Sequence, residues 1–191
     1  MDKQVQKHIT IKRLSIFSLI FLLLQSCSSD SSNNEKPLMI GDEYQGGIIF
    51  YLSPNGKNGL IASYTQFKAK WGCRGVKING ASGEEVGSGV QNTKDIVTSC
   101  SEQSIAAKLC SDLVEGKYDD WYLPSQEELS LLHLQKSKIT RIMFARENFW
   151  SSTQYNDNSA WYQHFGGNPG EVSPAVTGKE AVYTVCPIRA F

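Results

Sequence analysis

The hydrophobic pattern changes character several times along the chain. Leu14 to Leu24 is an apolar run broken only by serines, and Lys3, Lys7, Lys12 and Arg13 precede it. A basic segment followed by about a dozen apolar residues has the proportions of an export signal and is short for a permanent bilayer-spanning helix. Ile48 to Leu52 and Leu60 to Ala62 are two short apolar runs around Pro54-Asn55-Gly56 and Asn58-Gly59, the pattern of a β-hairpin. Gly46-Gly47 just ahead predicts a bend or a close backbone approach. From 71 to 93 the chain is rich in glycine, serine and asparagine without a clear period, which reads as a long surface loop.

Periodicity returns at Ile105, Ala106, Leu109, Cys110 and Leu113, predicting a helix over 101–115 that Gly116 terminates. In the stretch YDDWYLPSQEELSLL, Ser125 and Glu128 form the sequence of a capping box and Pro124 stiffens the start. The second helix runs from there to about residue 135, with Leu129 and Leu132 inward. Residues 119–123 connect the two helices and carry enough apolar surface to pack inward. The last third turns to strands at 149–153, 160–165 and 181–189, separated by Asn, Asp, Gly and Pro clusters. Strands at both ends with two helices between them give an α+β domain whose first and last strands share a sheet.

The N-terminal signal ends in Leu24-Gln25-Ser26-Cys27, which resembles a bacterial lipobox. The expected organisation is a signal peptide at 1–26, a flexible tether at 27–37 and one domain at 38–191. An ordinary secretory signal with a chance cysteine is the plainer alternative. Lipidation at Cys27 with palmitate-type chains, each buried methylene contributing about 0.8 kcal/mol, would hold the protein on a membrane. The expected location is the outer membrane, facing the periplasm or the cell surface. SSDSSNNEKP after Cys27 is too polar to bury a core.

Loss of the signal takes four basic residues and one acidic residue from nineteen of each sign, leaving a net charge of about −3. That balance, with export, argues against a nucleic-acid partner. Cys73, Cys100, Cys110 and Cys186 remain, an even number suited to an oxidising compartment, with three pairings open. Free buried thiols are one alternative. Zinc is another, but the chain has no Cys-x-x-Cys and its mature part keeps only His133 and His164.

Charge placement suggests a binding surface. Between Tyr44 and Gly83 the ionisable side chains are Lys57, Lys68, Lys70, Arg74 and Lys77, with no acid among them, and Phe67 and Trp71 lie in the same block. Basic groups beside aromatic rings suit sulfates, carboxylates and sugar faces. Lys68, Lys70, Trp71, Arg74 and Lys77 are therefore the candidate ligand-binding residues, for a glycan or a polyanionic polysaccharide. Lys136, Lys138, Arg141 and Arg146 form a second acid-free block. A solvated surface is the plainer reading of both. Trp161 is a further candidate for exposure, whereas Trp121 and Trp150 read as core. No nucleophile elbow, Cys–His pairing or metal-ligand cluster appears, so neither catalytic nor metal-binding residues are expected and the chain does not read as an enzyme. Asp119 and Asp120 have the composition of a glycosidase pair, but adjacent acids in a turn more often orient backbone amides.

Several segments together resemble a family. Gly46 to Tyr51, Asp120-Trp121-Tyr122-Leu123-Pro124-Ser125, Glu127-Glu128-Leu129, Phe149 to Thr153, Ala160-Trp161 and the terminal Cys186 to Phe191 are similar, in this order, to the C-terminal domain of collagen-like bacterial adhesins, the Lcl C-terminal family. The resemblance implies a C-type lectin-like domain with two helices, a small mostly antiparallel sheet and long loops. It also implies adhesive binding of sulfated glycosaminoglycans. By the same resemblance Cys110 would pair with Cys186, leaving Cys73 with Cys100, and closing a loop of roughly 75 residues would contribute about 4 kcal/mol.

The sequence departs from calcium-dependent lectins: it has no Glu-Pro-Asn or Gln-Pro-Asp triplet, and Thr184-Val185-Cys186 stands where Trp-Asn-Asp would be expected. No cofactor is therefore expected. Calcium on Asn156, Asp157, Asn158 and Glu171 is the alternative, against their use as turn formers. Two other functions remain in view: a structural or protein-binding component of the envelope, and an enzyme related to formylglycine-generating folds.

Overall fold

The computed structural model describes residues 36–171 and 173–191; the expected signal peptide, Cys27 and the tether up to residue 35 lie outside the described residues. Among the described residues, no helix is long and apolar enough to cross a membrane.

Two sheets and three helices make an α+β domain. The first sheet orders β1 (Glu43–Tyr44), β2 (Gly47–Leu52), β3 (Gly59–Ala62) and β9 (Ile188–Ala190) as β1-β2-β3-β9, all antiparallel. The second orders β4 (Phe67–Lys70), β8 (Val182–Val185), β5 (Asn148–Gln154), β6 (Ser159–His164) and β7 (Ala175–Gly178) as β4-β8-β5-β6-β7. Its one parallel contact joins β5 and β8 at Phe149 and Thr184. The helices are α1 (Ser88–Ser99), α2 (Ala106–Ser111) and α3 (Gln126–Gln135).

The expected hairpin is β2–β3, and the last strand pairs with β3 in the same sheet as the first. Gly46 turns with φ 90°, and a Cβ on Gly47 would lie 2.3 Å from the Ala62 carbonyl oxygen, so both glycines do what their position predicts. The first sheet is buried on both faces. Ile48 and Phe50 pack with Leu129, Leu132, Phe149 and Phe165, while Ile49 and Ile61 pack against Trp121. That two-sided burial is why Ile48-Ile49-Phe50 has no polar alternation.

Strand β5 divides the interior. Consecutive side chains of a strand point to opposite faces. Phe149 joins the core under the first sheet, and Trp150 joins a second core with Trp71, Ile78, Ile96, Ile105 and Val185 under α1 and α2.

The structure corrects the expected map in three places. There are three described helices, not two, and two sheets, not one. Helix α1 lies partly inside the stretch read as a surface loop, because its inner face is Gly89, Asn92, Thr93 and Ile96 rather than an apolar stripe. Helix α2 stops at Ser111, well before Gly116. Leu113 leaves the helix to pack around Trp121, and Glu115 and Tyr118 exchange backbone hydrogen bonds across Gly116.

Cys73 and Cys100 form a disulfide, but Cys110 and Cys186 are free buried thiols, so the pair implied by the lectin resemblance is not formed. Cys110 packs with Trp71 and Ile105, and Cys186 in the other core with Ile48 and Phe50. Burial pushes the Cys110 thiol well up, with the neighbouring Cys186 adding to the effect, and pushes Cys186 up to about 12. Disulfide chemistry proceeds through the thiolate, which both sites suppress.

The capping box on α3 is present, and it does more than cap. Fully buried Glu128 accepts from the Ser125 amide at 2.8 Å, from the Gly87 amide at the start of α1 at 2.8 Å, and from the Tyr122 hydroxyl at 3.2 Å. Burial raises its carboxyl pKa, and the Ser125 and Gly87 amides oppose that rise.

Two measurements check these assignments. Glu128→Gln puts an amide NH2 against one of two backbone donors, and urea denaturation is expected to show a loss of about 2–3 kcal/mol. An unchanged midpoint would remove the role given to Glu128. Thiol titration of the denatured, unreduced chain carrying Cys27→Ser is expected to find two thiols; none would restore the Cys110–Cys186 bond.

Candidate functional site

The segment from Cys73 to Ser82 is tied down along its length. The disulfide holds its start to the end of α1, and the Cys73 amide donates to Glu102 at 3.0 Å. Gly75 N–H donates to the Asp157 carbonyl at 2.9 Å. Gln154, last residue of β5, brackets Ile78: its Oε1 accepts from the Ile78 amide at 2.8 Å and its Nε2 donates to the Ile78 carbonyl at 3.3 Å. Gln154 N–H also donates to Ala81 O at 2.7 Å.

Beneath this loop lies Lys179, a fully buried lysine. Its Nζ donates to Val76 O at 2.9 Å and to Gln154 Oε1 at 2.8 Å, and sits 4.3 Å from the centre of the Trp71 ring. Burial lowers its pKa to about 8, against a raising influence from Asp157. A neutral amine still carries the two hydrogens that those acceptors need.

The loop and the β5–β6 turn enclose an open polar cleft of about 560 Å³, lined by Lys77, Asn79, Ser82, Gln154, Tyr155, Asn156 and Asp157 among others. Tyr155 is 59% exposed, and its ring meets Trp161 edge-on at 5.6 Å. The turn is internally bonded: Asn158 N–H donates to Asn156 Oδ1 at 2.9 Å, and Asn158 Nδ2 to Asp157 Oδ1 at 3.0 Å. Glu171 lies in a separate turn and accepts from Asn168 N–H and Nδ2. The four oxygen-bearing residues therefore serve two turns, and no group of three or more His, Cys, Asp or Glu converges among the described residues.

The five candidate binding residues do not form one patch. Trp71 has no exposed surface: it is core, and its Nε1 donates to Ser151 O at 3.0 Å. Lys68 pairs with Glu147, which also accepts from Thr184 Oγ1 at 2.6 Å, and both partners hold the Glu147 carboxyl below its usual range. Lys68 and Lys70 line a different recess, of about 410 Å³, with Glu102, Gln103 and Ser104. Arg74 pairs with Glu180 at 3.3 Å. Only Lys77 reaches the cleft. The second basic block is divided too. Lys136 donates to the carbonyls of Phe165, Gly166 and Gly167, and Arg141 pairs with Glu43.

Asp119 and Asp120 are not a matched pair. Arg189 grips Asp120 at both carboxylate oxygens, Nε–Oδ1 2.6 Å and Nη2–Oδ2 2.9 Å, while stacking 4.2 Å from the Tyr118 ring. That grip holds the Asp120 carboxyl below its ordinary pKa. The pair locks β9 to the connection before α3.

The family model of the Lcl C-terminal domain matches residues 66–189. The chain belongs to that family. The matched segment begins after β3, so Gly46 to Tyr51, quoted above for the resemblance, falls outside it, although β3 pairs with β9, where the match ends. Among solved structures, the Lcl C-terminal chain is similar to a fimbrial protein from Bacteroides ovatus ATCC 8483, at 15% identity and a TM-score of 0.53. The alignment covers 82% of this chain and 46% of that one, so the likeness concerns fold and spans less than half of the fimbrial protein. No curated protein matches the chain.

Lys179 generates a pH prediction. Its pKa is about 8 folded against 10.5 free, so between those values the unfolded chain holds more protons and rising pH favours the folded domain. Denaturant titrations at pH 7 to 10 should show wild type gaining up to about 1 kcal/mol per pH unit above pH 8 relative to Lys179→Met. Parallel curves would contradict a buried, proton-shedding lysine.

Proposed function

We propose that this protein is an envelope lipoprotein, anchored through Cys27, whose Lcl C-terminal domain is a C-type lectin-like binding module, and that the cleft between residues 77–82 and 154–157 takes a glycan. The carrying observation is Tyr155, an exposed ring propped by Trp161 at the mouth of a cleft whose wall is fixed by Gln154. An aromatic face accepts the apolar side of a sugar ring, and nearby amide, hydroxyl and carboxylate groups bond its hydroxyls. Lys77 and Asp157 bring opposite charges to the lining, which suits a neutral or weakly charged saccharide better than a densely sulfated one. Support from the neighbour is limited to its being a fimbrial protein, which accords with a surface role.

Asp120 is committed to Arg189, and burial keeps the Cys110 and Cys186 thiols protonated, which disfavours the redox alternative.

A glycan array followed by calorimetry on the best hit tests the proposal. Tyr155→Ala is expected to weaken binding at least about tenfold with little change in stability, as loss of an aromatic stacking partner would. Lys68→Ala combined with Lys70→Ala and Arg74→Ala should leave it within about twofold. The opposite pattern, with retention on heparin abolished by the triple change, would move the site to the basic strand.

A further inference from the structure

Three segments that are distant in sequence meet where the described chain begins. Lys36 pairs with Asp42, and Asp42 also accepts from the Met39 amide at 2.9 Å. Glu43 accepts from the Tyr64 hydroxyl at 2.8 Å and from Arg141. Gln66 Nε2 reaches Met143 O at 3.4 Å, and a Cβ on Gly41 would touch Lys138 O at 2.8 Å. Segments 36–43, 64–66 and 138–143 therefore form one contiguous region. It carries three large exposed apolar side chains: Met143 at 89%, Met39 at 50% and Tyr64 at 45%. Single exposed apolar residues are ordinary, whereas several grouped together mark a contact surface.

We propose that this region is a membrane-contacting face, by which the domain rests on the bilayer that holds its own anchor. The inference builds on the Cys27 lipidation proposed above. Reach favours the bilayer as the occupant. Nine residue steps separate Cys27 from Lys36. In any conformation they span no more than about 32 Å, less than the roughly 40 Å width expected for a domain of this size. Chemistry agrees with reach. Methionine and tyrosine suit the boundary between headgroups and acyl chains, where a flexible apolar chain or an amphipathic ring is half immersed. Lys36 and Arg141 are paired with Asp42 and Glu43, and Lys138 has no acidic partner among the described residues, so this region carries one cation more than its acids in a mature chain of about −3. An unpaired lysine beside these apolar side chains favours anionic headgroups.

Depth-dependent quenching tests the face. Full-length acylated protein carrying Met143→Trp is reconstituted in phosphatidylethanolamine–phosphatidylglycerol vesicles, with and without bromine on the acyl chains. The parent protein's emission is subtracted. Bromolipid is expected to quench the added indole at least about twofold and to leave the indole of Val76→Trp, on the cleft loop, unchanged. Protein that pellets with vesicles but shows no quenching of the indole introduced at position 143, including an indole shielded there by a second copy or another protein, overturns the face and leaves the anchor standing. Protein that does not pellet at all, with the Cys27→Ser form behaving identically, overturns the anchor and the face with it.

Discussion

Glu128 is a carboxylate with no exposed surface, set where two helices begin. An isolated buried charge would be very costly. Here two backbone N–H groups and a tyrosine hydroxyl point at it, and the positive ends of α1 and α3 face it together. The arrangement leaves no slack. A Cβ on Gly89 would lie 2.3 Å from Glu128 Oε2, so α1 approaches this closely only because residue 89 is glycine. Around the carboxylate, Asn92 bonds Gly83 and Ser152, Thr93 exchanges hydrogen bonds with Leu123, and Thr153 bridges Gly83 and Gln126. This network fixes Ser152 and Thr153 near the end of β5, and the residue that follows is Gln154. The cleft wall is thus positioned from Glu128 outward, through the Ser125–Gln126 backbone to Thr153 and from there to Gln154.

The strand that carries this network also separates the two cores. Phe149 and Trp150 face opposite ways, and the chain repeats the device at Val185 and Cys186. Pro187 then has no N–H to offer a ladder. The run expected as one strand from 181 to 189 consequently splits, β8 ending in the second sheet and β9 starting in the first. Arg189 completes the crossing by holding Asp120, so the two ends of the Asp120-to-Ser125 corner are secured independently, one by a guanidinium and the other by a buried carboxylate.

What could be read from residue order was whatever rested on local chemistry. The capping box, the Asn-Gly hairpin, the Gly46-Gly47 approach and the inward packing of Trp121 to Leu123 all follow from short spacings with one physical meaning. Helix α1 was hidden because hydrogen bonds from Asn92 and Thr93 do the packing that apolar side chains do elsewhere, and periodicity arguments see only the latter. Lys179 gave no signal either: a lysine between glycine and glutamate reads as surface, and only the fold puts Trp71, Val76 and Gln154 around it. In the cleft, Lys77 was named for binding and Asn156 and Asp157 were weighed as ligands, but Tyr155 went unnoticed beside the more conspicuous Trp71.

The basic blocks illustrate why a run without acids is a poor guide to surface potential. Glu147, Glu180 and Glu43 lie outside the two blocks, 79, 106 and 98 residues from the cations they meet, and they pair with Lys68, Arg74 and Arg141. Each pairing lowers the field that a sulfated polymer would feel, and exposed pairs of this kind are further screened by salt. What survives is a cleft with one lysine, one aspartate, two asparagines, a serine and an upright aromatic ring. Such a lining gains little from long-range attraction and much from matching hydroxyl positions at short range, so selectivity under the proposed function resides in the geometry that Gln154 imposes on Ile78 and Ala81 rather than in net charge.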